Sequence, residues 1–313
     1  MDRVTAGEAR EARVKAALDA VREGCDVAAR RAADPVGFVH RFADPHDREL
    51  VALAASSIAF GNVKTIRAKL GELLVRLGPR PAHVADARPE LLRRLRGWKS
   101  RVFRGEDIAH LLAGGRAIQN DHGSIGAYFE AQLARSGPGS EGMREALGAL
   151  CDAIRKAGGL RKGGPRRGPS HLLPDPRGAS GCKRLLLFLR WMARPADGID
   201  LGMWNVDRSR LLVPVDVHIH RLAQNLGFTR RSGTSWQTTE EITSALARLD
   251  GADPTRYDFS LCHMGMLRRC PSRRSPALCE GCGVKPVCIR WDASSGRGPG
   301  KTTSRAARRG RAR

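Results

Sequence analysis

Arg269-Cys270-Pro-Ser-Arg-Arg-Ser-Pro-Ala-Leu-Cys279-Glu-Gly-Cys282-Gly-Val-Lys-Pro-Val-Cys288 carries four of the chain's eight cysteines, in the spacing C-x8-C-x2-C-x5-C. The interposed Pro, Gly and Ser residues let the loop curl until four thiolates meet at one centre, which is metal-ligand rather than disulfide chemistry. A zinc ribbon offers two separate C-x2-C knuckles, and this stretch has one. An iron-sulfur cluster is larger and accepts such uneven spacing. The reading is a [4Fe-4S] cluster on Cys270, Cys279, Cys282 and Cys288, with structural zinc and unligated thiols as the alternatives.

Outward from this loop, the composition bounds the partner. Lys and Arg number 55 against 32 Asp and Glu, a formal charge of +23 on 313 residues. Residues 293–313 contribute seven basic side chains and no acidic one, which leaves +16 on the rest. A charge of that size away from the tail is the electrostatic footprint of a nucleic-acid binder, against the plainer reading of an Arg-rich genome. The start of the chain lacks the apolar region of a signal peptide, and Leu50–Phe60, the longest mostly apolar run, is too short to span a bilayer. The expectation is a cytoplasmic, nucleoid-associated monomer with no membrane partner. Cys25, Cys151, Cys182 and Cys262 read as buried thiols of a reducing compartment.

Periodicity points to helices throughout. Thr5 to about Ala33 reads as one long amphipathic helix, and Asp44-Pro-His-Asp-Arg-Glu49 supplies the start of the apolar helix Leu50–Phe60. Val63, Ile66, Leu70, Leu73, Leu74 and Leu77 form one stripe that ends at Gly78-Pro79. Asp107, Ser124 and Ser140 each precede a further apolar-periodic segment. Residues 158–181 are crowded with Gly, Pro and Arg and read as a mobile loop. Next comes Cys182-Lys-Arg-Leu-Leu-Leu-Phe-Leu-Arg-Trp-Met-Ala-Arg194, an apolar helix with cations near both ends. Asp216 stands where a helix N-cap would, Thr238-Thr-Glu-Glu241 reads as a capping box, and Asp253-Pro254 as the start of the helix that leads into the cysteines. No run of alternating strands is visible, so the fold class is all-α.

These residues resemble a known family, the endonuclease III branch of the helix-hairpin-helix DNA glycosylases. Its members end in a four-cysteine loop with one C-x2-C followed by C-x5-C, as Cys279, Cys282 and Cys288 do, and their catalytic aspartate lies in a segment similar to Val213-Pro-Val-Asp216-Val-His-Ile-His-Arg221. The 8-oxoguanine glycosylases are similar there too. The closer resemblance, over roughly residues 35 to 290, is to an uncharacterised bacterial family of that superfamily, marked by a run similar to Cys182-Lys-Arg-Leu-Leu-Leu-Phe-Leu-Arg-Trp-Met.

The resemblance implies a two-domain fold with a C-terminal cluster loop. Residues 1–44 form an N-terminal helix packing on the cluster domain, 45–205 a six-helix barrel-like domain ending at the hairpin, 206–291 the aspartate helix and cluster, and 292–313 a disordered basic tail. It implies double-stranded DNA as partner and excision of a flipped damaged base, with abasic-site lyase activity where a lysine nucleophile is present. Asp216 and Lys183 become the catalytic candidates. Asp216, at a helix N-terminus, would stabilise an oxocarbenium-like sugar, although a plain N-cap is an equally ordinary use of Asp. Lys183 would form a Schiff base, or bind phosphate in the simpler reading. Gly178, Gly181 and Arg184 are the candidate DNA contacts.

Two departures stand out. The family's hairpin is Leu-Pro-Gly-x-Gly, whereas here Leu173-Pro-Asp-Pro-Arg-Gly178-Ala-Ser-Gly181 spaces its glycines differently. Pro195 to Asn205 also adds length between Lys183 and Asp216. Where relatives keep a glutamine that fills the gap left by a flipped base, this chain has Ala59-Phe60-Gly61-Asn62, so Phe60 or Asn62 is the candidate wedge, with core burial the alternative for Phe60. His218 and His220 are two apart and cannot share a metal from one helix, and Trp98, Trp191 and Trp204 read as core. A non-catalytic DNA-binding module and a zinc-stabilised RNA-binding protein are the competing functions.

Overall fold

The computed structural model describes residues 2–161 and 166–291. The basic tail from 292 onward and part of the Gly- and Arg-rich loop lie outside the described residues. Among the described residues the chain is helical apart from a two-stranded antiparallel ribbon, so the all-α expectation holds.

The N-terminal segment is two helices instead of one, α1 (Asp2–Glu23) and α2 (Val27–Ala33). The break has a local cause: Asp26 turns extended and its carboxylate caps α2 by accepting from the Ala29 amide at 3.0 Å. After α3 (Val36–Val39), the apolar helix α4 (Pro45–Ser57) starts at the Asp44 cap, whose side chain takes the Asp47 amide. Its residues from Asp47 onward are buried apart from Arg48. The Leu stripe forms α5 (Val63–Leu77), capped by Asn62, and short helices α6 (Pro81–Ala85) and α7 (Arg88–Arg94) lead to β1 (Lys99–Ser100) and β2 (Phe103–Arg104).

Asp107 lies inside α8 (Gly105–His122), where its carboxylate reaches back to the Arg104 amide at 2.8 Å. Ser124 caps α9 (Ile125–Arg135) as the sequence suggests. The buried Glu49 on α4 anchors that same end, accepting from the amides of Ile125 and Gly126 and from Trp204 Nε1 at 2.7 Å. Helix α10 (Gly139–Gly158) includes Ser140 rather than starting after it. A short helix, α11 (Gly168–Leu172), then precedes the hairpin and α12 (Lys183–Ala193).

Asp216 caps α13 (Val217–Leu226), which stops at Gly227 with φ 79°. Helix α14 (Trp236–Ala247) begins one turn earlier than Thr238 suggests, because Ser235 is the cap and Thr238 the residue whose amide it receives. Asp253-Pro254 opens a run of turns, and α15 (Asp258–Arg268) starts only at Asp258. The last helix, α16 (Pro276–Cys279), lies within the cysteine loop.

The buried apolar side chains separate into two clusters. The larger gathers α3 to α12 with Trp98, Trp191 and Trp204, runs on to Leu212, and takes in Trp236 of α14 and Phe259 of α15. The smaller combines Val14 and Leu18 of α1 with Val213, Val215 and the inner faces of α13, α14 and α15. Tyr257 ties α1 to this second cluster by donating to Asp19 at 2.8 Å, as does Arg10, which donates to the Leu226 carbonyl at 2.7 Å. The expected N-terminal unit therefore divides, with α1 on the smaller cluster and α3 in the larger. No described helix is long and apolar enough to cross a membrane.

Candidate active site and cysteine pocket

Lys183 and Asp216, 33 positions apart, both act by charge on the same two groups of α15, Asp258 and Cys262. Asp216 Oδ1 accepts the amides of His218 at 2.9 Å and Ile219 at 2.8 Å, which fixes the carboxylate at the positive end of α13. Its other oxygen, Oδ2, faces the Cys262 thiol at 3.4 Å. Lys183, in the first turn of α12, reaches the Ala59 carbonyl at 3.3 Å, and its charge acts on Asp258 and Cys262, the same two groups on which Asp216 acts.

Asp258 and Cys262 belong to the site although nothing in the sequence singles them out. They are one turn apart on α15 and so share a face. Burial pushes the Asp258 carboxyl up to about 6 against the pull of Arg190, with the Asp216 charge adding to the rise. The Cys262 thiol is pushed well above its ordinary value by burial and then by the Asp216 and Asp258 charges.

A buried ionic lattice stands behind Asp258. Arg190 is ion-paired with Asp258 and with Asp200 at 3.2 Å; Arg194 holds Asp200 and Asp197 at 2.7 Å each and Asp253 at 2.8 Å. The segment Pro195 to Asn205 is thus a strap that folds back on α12, its carboxylates neutralising Arg190 of that helix and Arg194 at its C-cap. The lattice joins α12 to the 253–258 turns and sets the distance between Lys183 and α15.

The hairpin differs from expectation in what its groups are doing. The Gly178 amide donates to Asp175 O at 3.1 Å, and the Gly181 amide donates to Thr234 O, also at 3.1 Å. Neither amide is left for a phosphate, so these two positions do not form the expected grip. Gly181 instead permits close passage, since a Cβ there would stand 2.8 Å from the Thr234 carbonyl. Arg144 and Arg155 of α10 bind the carbonyls of Pro176, Gly178 and Leu173, pinning the turn from outside.

Arg184 also departs from the DNA-contact reading. Its side chain is buried, donating to the Ser57 carbonyl at 2.5 Å and to the His171 carbonyl, and burial pulls its guanidinium down to about 10. It braces α12 against α4 and α11. Neither wedge candidate stands free. Phe60 is half-buried, edge-on to Phe103 and His171 with Arg101 4.5 Å from its ring centre, while Asn62 is exposed but caps α5 through the Lys64 and Thr65 amides.

At the other end of the smaller cluster, Cys270, Cys279, Cys282 and Cys288 line one small pocket with Val284 and Trp291. Gly281 makes the C-x2-C turn with φ 62°, a left-handed conformation that favours glycine. Asn225 of α13 fixes the loop: its side chain donates to Cys270 Sγ at 3.2 Å and to the Pro271 carbonyl at 3.0 Å, and its carbonyl accepts the Ile289 amide at 2.8 Å. Burial, followed by the charges of the neighbouring thiolates, pushes Cys270 and Cys288 up. Among the described residues no group of three or more His, Cys, Asp or Glu is set to hold a metal ion. A wider cleft of about 620 Å³ lies at the N-terminal end of α4, where Arg41, Arg80 and Arg116 are balanced by Asp44, Asp47 and Asp86.

The described residues make a predominantly helical protein in which a lysine and a capped carboxylate act on the same two groups of α15. The chain belongs to DUF2400, a family of proteins of unknown function, which matches residues 34–267. That match includes Lys183, Asp216, Asp258 and Cys262 and ends before the four-cysteine stretch. Comparison with the curated proteins and with the solved structures gave no match.

Proposed function

We propose that the chain is a DNA base-excision glycosylase of the helix-hairpin-helix superfamily, with abasic-site lyase activity, and that it takes its substrate base out of the duplex. What supports this reading is the Asp216 carboxylate, capped at the head of α13 with its second oxygen on Cys262, together with Lys183, whose charge acts on the same Asp258 and Cys262. Lys183, after releasing a proton to solvent, attacks C1′ of the sugar through its nitrogen as the bond to the base breaks, and the base leaves with the bonding electrons and takes up a proton. The Asp216 carboxylate, held by two amides, faces the positive charge that develops on the sugar and lowers the barrier by fixed electrostatics. The nitrogen now bonded to C1′ loses a proton, the C1′–O4′ ring bond breaks with O4′ taking up a proton, and the Schiff base of a lyase results. The test is release of free base from a panel of lesion-bearing duplexes. A non-catalytic DNA-binding module would hold those duplexes and release nothing.

The polyanion partner rests on the charge of +23. Duplex affinity is expected to fall by about a thousandfold or more between about 50 and 200 mM salt, the scale for six or more neutralised phosphates. A flat salt response in a filter-binding titration would remove double-stranded DNA as the partner.

The C-x8-C-x2-C-x5-C spacing, with the four cysteines lining one pocket, supports an iron-sulfur cluster as the group they would hold. Cys270, Cys279, Cys282 and Cys288 would hold it, with the Asn225 amide donating to the Cys270 sulfur. Structural zinc on the same four sulfurs is the alternative. When bound, a [4Fe-4S] centre cross-links four thiolates whose charges otherwise oppose one another, and so orders the basic loop around Arg273 and Lys285. The purified protein is expected to be brown with about four irons per chain. Colourless protein with one zinc per chain would overturn this part of the reading.

A further inference from the structure

Helix α15 brings a thiol to the one carboxylate oxygen that the α13 cap leaves over. Cys262 Sγ stands 3.4 Å from Asp216 Oδ2, while Oδ1 is taken by the His218 and Ile219 amides. This approach is built into the packing. Gly265, one turn on from Cys262, lies against His218 and Leu222, where an added Cβ would stand 3.1 Å from each. Without that glycine α15 could not come so close to α13. Asp258, one turn back, is held by Arg190, and the lattice of Arg194, Asp200 and Asp253 holds Arg190's end of α12 to the same unit.

We propose that Cys262 is a positioning residue: it donates its thiol hydrogen to Asp216 Oδ2 and so aims the carboxylate that the reaction uses. A thiol suits the task because it is a weak donor of modest size. It restrains an oxygen without competing strongly for the charge that must face the sugar. The two neighbouring carboxylates, Asp216 and Asp258, disfavour a thiolate here, so Cys262 remains a donor. The inference rests on reading Asp216 as a reacting group.

The test has one arm that needs no turnover. In the full-length protein the S–H stretching band of Cys262, isolated as the infrared difference between the parent and Cys262→Ser, is expected at a lowered frequency. It should move back toward the free-thiol position in Asp216→Asn. A band at the free-thiol position in the parent, or one unmoved in Asp216→Asn, would overturn the proposal. In the second arm Cys262→Ala is expected to lower base release by about tenfold, the scale of losing one hydrogen bond to a charged group, with Cys262→Ser restoring most of it. Equal loss in the two variants would mean simple packing, and no loss in Cys262→Ala would mean no role. If the band behaves as expected yet Asp216→Asn releases base normally, the hydrogen bond stands and the catalytic reading of Asp216 fails.

Discussion

Asp216→Asn is expected to lower base release by about a hundredfold or more, the scale on which removal of one electrostatic stabiliser acts. Folding stability should hardly change. Asparagine is as good an N-cap as aspartate, and its side-chain oxygen can take the His218 and Ile219 amides as Oδ1 does, so a stability loss of about 1 kcal/mol or less is expected. The contrast separates the two uses of Asp216. A residue that served only as a cap would leave base release unchanged in this variant. Duplex binding should survive or tighten, because one negative charge leaves a surface that faces phosphates. Single-turnover release and urea unfolding of the same preparation check both halves.

The second large effect is on stability and comes from the lattice behind the site. Arg190→Leu leaves Asp200 and Asp258 buried without that partner, and loss of one member of a buried ion pair costs about 3–5 kcal/mol. Urea unfolding at neutral pH should show an unfolding free energy lowered by that amount, with the midpoint lowered in proportion. Arg248→Ala, which breaks an exposed pair with Glu11, is the control and should change little. A loss at Arg190 no larger than at Arg248 would mean that the lattice does not hold α12 to the 253–258 turns.

Much of this arrangement was written locally. Asp44, Ser124 and Asp216 each precede an apolar-periodic segment, and each caps the helix that follows, because a cap depends on the three residues after it. The Leu stripe of α5 and the tryptophans of the core follow from periodicity and size. Local reading went wrong where two local signals competed. Asp26 outweighed the Ala-rich pattern and split the first helix, and Ser235 captured the amide of Thr238 that a later cap would have used.

The site was legible only in part, and for a physical reason. Lys183 and Asp216 stood out because they match the motifs of the family the sequence resembles, each at the opening of a helix. Cys262, Asp258 and Asn225 act across distances in sequence that no spacing rule connects, and their roles exist only once α15 and the cysteine loop lie against α13. Arg184 shows the converse. An arginine at the start of a helix beside a hairpin reads as a phosphate contact, but the carbonyls of Ser57 and His171 take its guanidinium inside. The aspartates of the strap are polar residues in a stretch of turns, and only Arg190 and Arg194 make them part of the interior.

The most direct test is borohydride trapping of the full-length protein on duplexes that each carry one of a panel of base lesions. Reduction freezes any Schiff base between protein and sugar as a covalent adduct of raised mass. A trapped adduct on at least one lesion duplex, absent on undamaged DNA and lost in Lys183→Gln, is the result this account predicts. No adduct and no released base on any lesion, from protein that binds the same duplexes, would contradict it.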